Sequence, residues 1–518
     1  MALSLLDEAI VVAYVGCVVV IGLAGSRPRA STSEYFLASR HAAWPTIGLA
    51  LFGSNISPGS LIGITGSAYA LGISVYNYDW MASLILALFA LTFLPLLLRK
   101  RSYTMPEYFE SRYDRRARIW LASLSILLYV LLDAAGSLYC AALVVHALLP
   151  RIGFESAVPA LAVLSSIYAL TGGLRSVMRT QALQALIVIL AAVLLAVFAF
   201  QRAGGWHAVL HATPPSFLHL IMPASDPYMP WTGLAFGAPL LAFYYWCTNQ
   251  VMVQRVLAAR SVADGQRGTL LAGFLKLLTL LLIVAPGLAG RVLYPHLQRG
   301  DDIYLRLALG LLPPGVLGLF LAAFLGALMA ALSATYNSAG TVISIDLIRR
   351  ARPQMDEHRT VRWGRIGTAL CMLASAAWVP QIARFPSLWQ YFQAVLAYFT
   401  PPVVVVFLAG MLWPRASSRG AFAALTAGSA LGALLYVLAI LGVSHVQFLV
   451  AAAWVFALSL TVLIVVSLTG GEPRPEANAP APTGMTELLA CFSATPGSVR
   501  LAALALILIT SAIVMKYW

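Results

Sequence analysis

Long apolar runs separated by short polar or charged stretches dominate the chain, near 9–25, 43–69, 75–98, 118–148, 156–171, 180–201, 229–254, 268–292, 314–345, 363–380, 391–413, 420–443, 445–468 and 499–516. A helix rises 1.5 Å per residue, so crossing the hydrocarbon core takes about 20 apolar residues, and most of these runs approach that length. The pattern predicts an all-α membrane protein with about fourteen transmembrane helices. Two of the runs are broken. The second carries Ser54-Asn55-Ile56-Ser57-Pro58-Gly59-Ser60 in its middle, and the seventh carries Gly237-Ala238-Pro239. Proline removes a backbone donor and clashes with the preceding turn, while polar neighbours satisfy the freed carbonyls. Interruptions at matching positions five segments apart point to an inverted-repeat transporter with a central site. The plainer reading is that Pro and Gly kink membrane helices for packing.

On this pattern the chain divides into a 1–42 N-terminal helix with its cytoplasmic loop, a first inverted repeat over 43–205 (segments 2–6), and an extracellular loop at 206–228. A second repeat spans 229–413 (segments 7–11), followed by accessory helices at 414–468, a Pro/Ala/Gly-rich cytoplasmic linker at 469–498, and a C-terminal helix at 499–518.

Composition narrows the class further. With 60% hydrophobic and 10% charged residues and a mean hydropathy of +0.85, the chain is not a water-soluble globule. A net charge of +14 would suit nucleic acid, but 25 of the 33 basic residues fall in alternate loops, among them Arg27 and Arg29, Arg349 to Arg365, and Arg415 with Arg419. That asymmetry is the positive-inside signature, so no nucleic-acid partner is expected and both termini are placed outside the cell membrane. Asp7 and Glu8 precede the first run and Arg27 and Arg29 follow it, which predicts an uncleaved anchor rather than a signal peptide. Cys17, Cys140, Cys247, Cys371 and Cys491 are scattered, and His207, His211 and His219 fit no tight ligand set, so neither disulfide, metal nor cofactor is expected.

Only Asp79, Asp133 and Lys276 are ionisable and lie well inside the apolar runs. A charge at the bilayer centre costs at least about 2.5–3.5 kcal/mol on insertion scales, so such groups face a cavity or a partner. Asp79 and Lys276 read either as solute ligands or as an internal ion pair that locks the bundle. Asp133 reads as a candidate proton site or as an acceptor for Ser137 and Tyr139.

Three stretches carry a family resemblance: YALTGGLRSVMRTQALQ (168–184), FYYWCTNQVMVQRVLAARS (243–261) and SATYNSAGTVISID (333–346). With Glu34-Tyr35-Phe36-Leu37-Ala38 and the 410–414 region, the chain resembles the sodium:solute symporters, within them the sodium/glucose cotransporter branch. The resemblance implies a LeuT-type fold of five plus five inverted helices with flanking helices, and alternating access around a midplane solute site. It places sugar contacts on Asn55, Ser60, Asp79, Ala82, Ala242, Lys276, Ala334 and Gln393, and an inner gate on Tyr245. An amide, a carboxylate and an ammonium together offer the donors and acceptors a polyhydroxylated solute needs. The alanines and Ser60 depart from the family's polar groups, which leaves glucose itself open.

The resemblance also implies a sodium site made of the carbonyls of Gly53, Ile56 and Ala327 with two hydroxyls, but those positions are Ala330 and Ala331, and Gln181 stands where an acidic residue is usual. Alanine offers no side-chain oxygen to replace a hydration shell, so Na+ is expected only if Ser333, Thr335 or a water fills the gap. The function expected is secondary transport of a sugar or polyol, with a lipid bilayer as the surroundings and a monomer compatible with it. The alternatives are a sodium-independent or proton-coupled carrier of another small organic solute, or a non-transporting solute sensor. No nucleophile with its base, metal cluster or phosphate loop supports an enzyme.

Overall fold

A computed structural model describes residues 4–24, 40–100, 104–148, 153–297, 299–382, 388–470 and 484–518. The expected loop arginines Arg27 and Arg29 and residues 471–483 of the expected linker lie outside the described residues. Among those described, eight helices are long and apolar enough to cross a membrane, or ten when each of two bent pairs counts as one span. The chain is a multi-pass membrane protein.

The break in the second apolar run is one of the bent pairs: Trp44–Asn55 and Pro58–Leu71 meet at 65°. Local chemistry makes this corner. Ser57 is extended and its hydroxyl accepts the Ser60 amide, while Pro58 takes the first helical position, where a missing N–H costs nothing. In the seventh run the main interruption lies further along than the sequence suggests. Pro239 falls in the first turn of Ala238–Phe243, and Gly237 keeps helical dihedrals. Asn249 is the extended residue, and it caps Gln250–Leu257 by accepting the Val251 amide at 2.8 Å. Gly237 serves packing instead, because a Cβ there would collide with the Leu449 carbonyl.

The runs expected at 156–171 and 180–201 belong to one helical element, Phe154–Arg202. The Thr171-Gly172-Gly173 join lowers helix propensity without forbidding a helix. Side chains from 164 to 176 lie outside those described. Part of the stretch expected as a linker is also ordered: Met485–Ser493 is a helix with Leu488 and Cys491 buried, packed near Phe93–Lys100.

Around the broken span, Val262–Thr279 packs on both Trp44–Asn55 and Asn77–Leu91, and Phe154–Arg202 packs on Trp44–Asn55 and Val316–Thr341. Glycines set these distances: a Cβ at Gly48 would strike Leu271, and one at Gly268 would strike Ile47. Among the described residues four π-turns interrupt the helices, at Tyr129–Ala134, Tyr244–Thr248, Leu280–Val284 and Val342–Arg349. Such turns concentrate at functional sites. Glu110 accepts from Arg118 and from Arg350 at 2.6 Å, and Arg118 Nε also donates to Asp346 at 2.8 Å.

Candidate solute cavity and cation crevice

A cavity of about 150 Å³ lies at the corner of the broken span. Asn55, Ser60, Asp79, Lys276, Gln393, Tyr245 and Asp133 all line it, with Ala82, Ala242 and Ala331. The sequence therefore nominated seven groups that the fold does bring together, each from a different helical element. Ala334 is not among the lining residues, and Thr335 is.

Asp79 and Lys276 form an ion pair, and both are almost fully buried. The charges are further answered on each side: Lys276 Nζ donates to Asn55 Oδ1 at 2.8 Å, and the Thr279 hydroxyl reaches Asp79 Oδ2 at 2.7 Å. A buried pair is tolerable only when its remaining donors and lone pairs are also met. The two readings of the pair thus coexist: it ties Asn77–Leu91 to Val262–Thr279, and it lines the cavity. Ser60 turns its hydroxyl to the Asn55 carbonyl at 3.3 Å and to Ser57, part of the corner as well as of the wall.

Asp133 sits within the π-turn Tyr129–Ala134, which swings it into the cavity near Ser137. Among the described residues no hydrogen bond or ion pair to its carboxylate is present. Tyr245 lies in a second π-turn, its ring edge-on to Trp246 at 5.3 Å. Gln393 is buried on Leu388–Phe399, a helix seated against the corner because Gly59, Gly63 and Gly136 leave room for the rings of Phe392 and Trp389. Trp389 and Tyr78 meet edge to face at 5.7 Å and both line the cavity. Sequence reasoning missed these aromatics. The available signal was spacing, since Trp389 is one turn before Gln393 and Tyr78 adjoins Asp79.

The expected cation residues form a separate feature. Gly53, Ile56, Ala327 and Ala330 line a crevice with Gln184 that has no room for a water molecule. Ala331 faces the solute cavity instead. Ser333, the candidate replacement ligand, donates its hydroxyl to the Ala330 carbonyl at 3.1 Å.

This geometry, two interrupted helices around a polar midchain cavity, is that of a carrier, and comparison decides the family. Residues 35–428 match the sodium:solute symporter family. The chain belongs to that family. It is 34% identical to the sodium/mannose cotransporter of Bos taurus over 91% of this chain and 88% of the relative. It is also 34% identical to the sodium/myo-inositol cotransporter 2 of Oryctolagus cuniculus, over 82% of this chain and 69% of the relative. Among solved structures it resembles a Na+-coupled sialic acid symporter in a substrate-bound outward-open state, with a TM-score of 0.80 at 19% identity, covering 91% of this chain and 99% of the other. That likeness establishes the fold. The symporter is a transporter, and its family is one of carriers rather than enzymes.

Proposed function

We propose that this symporter moves a sugar or polyol across the cell membrane by alternating access around the cavity of Asn55, Asp79, Lys276 and Gln393. The observation that carries the reading is the ion pair itself, two charges and two amides set on one small cavity wall beside aromatic faces. Charge-assisted bonds to hydroxyls are about twice as strong as neutral ones, and the rings of Tyr78 and Trp389 offer apolar faces to the carbon skeleton. The names of its relatives, cotransporters of mannose and of myo-inositol, support this solute class. Tyr245, on the cavity wall, is the gate through which solute leaves. Fourteen spans in five-plus-five inverted repeats, with both termini outside the plasma membrane, complete the reading and are supported by the broken corner and the loop arginines.

The test is uptake of labelled mannose, glucose and myo-inositol into proteoliposomes. Saturable entry of at least one, competed by the others, supports the proposal. Absence of both uptake and exchange for all three sinks it and favours a different solute.

A second reading concerns energy. Asp133 presents an uncompensated carboxylate to the cavity, which suits a proton as the driving ion. Solute accumulation driven by an inward pH gradient and lost in Asp133→Asn, with exchange retained, supports that reading. Accumulation untouched by the substitution removes it.

A further inference from the structure

Of the charged groups that line the solute cavity, Asp79 and Lys276 answer each other and Asp133 is left over, so the lining carries a net negative charge. The carboxylate has oxygen neighbours. Ser137 follows Asp133 by one turn, and Thr335 comes from Val316–Thr341, the helix packed on the Tyr129–Ala134 turn; both line the cavity and both are buried. Among the described residues no hydrogen bond to the side chain of Asp133, Ser137 or Thr335 is present. Arg255, the buried cation of Gln250–Leu257, donates instead to the Ser338 hydroxyl at 3.2 Å and to the Val251 carbonyl. Tyr78, Tyr245, Trp246, Trp389 and Phe392 supply ring faces to the same lining. A buried charge without a partner is costly, so this wall favours a positively charged occupant.

We propose that Asp133, Ser137 and Thr335 form a subsite for the ammonium group of an amine-bearing sugar or polyol. The inference deepens the proposed transport of a sugar or polyol and rests on it. An ammonium has three N–H donors, which match one carboxylate and two hydroxyls, and aromatic faces attract it further. An alkali ion needs oxygens on every side in place of its water shell, and rings supply none. A proton would neutralise Asp133 and leave both hydroxyls without a role. Asn55, Gln393 and Lys276 then hold the hydroxyls of the solute while Asp133 selects its charge.

The deciding measurement is the unfolding midpoint of the purified full chain, titrated at neutral pH in potassium chloride with mannose, mannosamine and N-acetylmannosamine, and with the matching glucose series. A ligand bound only by the folded state raises the midpoint by mass action. The amine-bearing sugar of each series is expected to half-saturate the rise at a concentration at least about tenfold below its parent, the worth of a hydrogen bond to a charged group. Acetylation removes the charge and should remove the advantage. Asp133→Asn should abolish the preference for the amine, and Ser137→Ala, which keeps the carboxylate, should reduce it roughly two- to tenfold, the loss of one hydrogen bond. Should Asp133→Asn not fold, the sugar series on the native chain and on Ser137→Ala decides. Binding of mannose or glucose with no preference for the amine overturns the proposal and leaves the solute reading standing. No rise with any of these sugars sinks both. A saturable rise when sodium replaces potassium, lost in Asp133→Asn, would give the carboxylate to a free ion and overturn the proposal, as would uptake of the neutral sugars driven by a pH gradient through Asp133.

Discussion

The solute cavity and the crevice share one corner of the chain yet treat buried polarity in opposite ways. In the cavity, the Asp79 and Lys276 charges are matched by each other, by Asn55 and by Thr279, and the walls leave open space. In the crevice, the polar side chain is neutral: Gln184 lines it and has neither end of its amide bonded among the described residues. Buried charge is kept where the wall leaves open space, and neutral groups line the feature with no room for water. A wall held by ionic partners must collapse when one is deleted, whereas a wall of amides and methyls should tolerate change.

The largest effect is therefore expected at the ion pair. Lys276→Met leaves the Asp79 carboxylate buried with Thr279 as its remaining partner, a loss of about 3–5 kcal/mol typical of a broken buried pair. Adding Asp79→Asn removes the stranded charge and should recover most of the thermal stability while uptake stays lost. Unfolding midpoints and proteoliposome uptake of both variants check this. A double variant that transports normally would reduce the pair to a lock between helices.

Smaller changes are expected at the uncharged wall. Gln393→Ala deletes an amide that lines the cavity, and loss of one hydrogen bond of about 0.5–1.5 kcal/mol to a solute corresponds to a rise in KM of roughly two- to tenfold with the unfolding midpoint unchanged. Tyr245→Ala should instead alter the rate of solute exit more than the apparent affinity. An unfolded Tyr245→Ala variant would assign that ring to packing, and equal effects of both substitutions on KM would erase the distinction between wall and gate.

Much of this was legible in the sequence, for reasons the comparison makes plain. Asp79, Asp133 and Lys276 stand out because intramembrane charge is expensive, and Pro58 after Ser57 announces the corner by its missing donor. The crevice itself was not legible, since the sequence showed only that Ala330 and Ala331 lack hydroxyls. Nothing in the local pattern says that Gln181 reaches across 149 positions to the Ala330 carbonyl. Asn249 was missed because an asparagine cap is a weaker signal than the neighbouring Gly237 and Pro239, whose roles are packing and a first-turn position. The π-turns that aim Asp133 and Tyr245 have no composition signature at all.

The smallest expected effect lies at the cluster of Glu110, Arg118, Asp346 and Arg350, a third arrangement in which charges are answered as in the cavity but partly in water. Burial pushes the Glu110 carboxyl up, and the hydrogen bonds and charge of Arg118 and Arg350 outweigh it and hold the group below its ordinary value. A carboxylate with a lowered folded-state pKa contributes stability that is complete above its unfolded value of about 4.3 and is lost as pH falls through the folded one. Between neutral pH and about 5, Glu110 should thus contribute a constant amount. Arg350 is 38% exposed, so solvent screening keeps its pair with Glu110 near the modest 0–1 kcal/mol range of surface ion pairs. Glu110→Gln should lower the unfolding midpoint slightly at neutral pH, and the native and variant curves should converge on acidification below about pH 4. Parallel curves across that range would mean that the Glu110 charge is immaterial there, leaving the buried Arg118–Asp346 pair as the contact that holds this cluster.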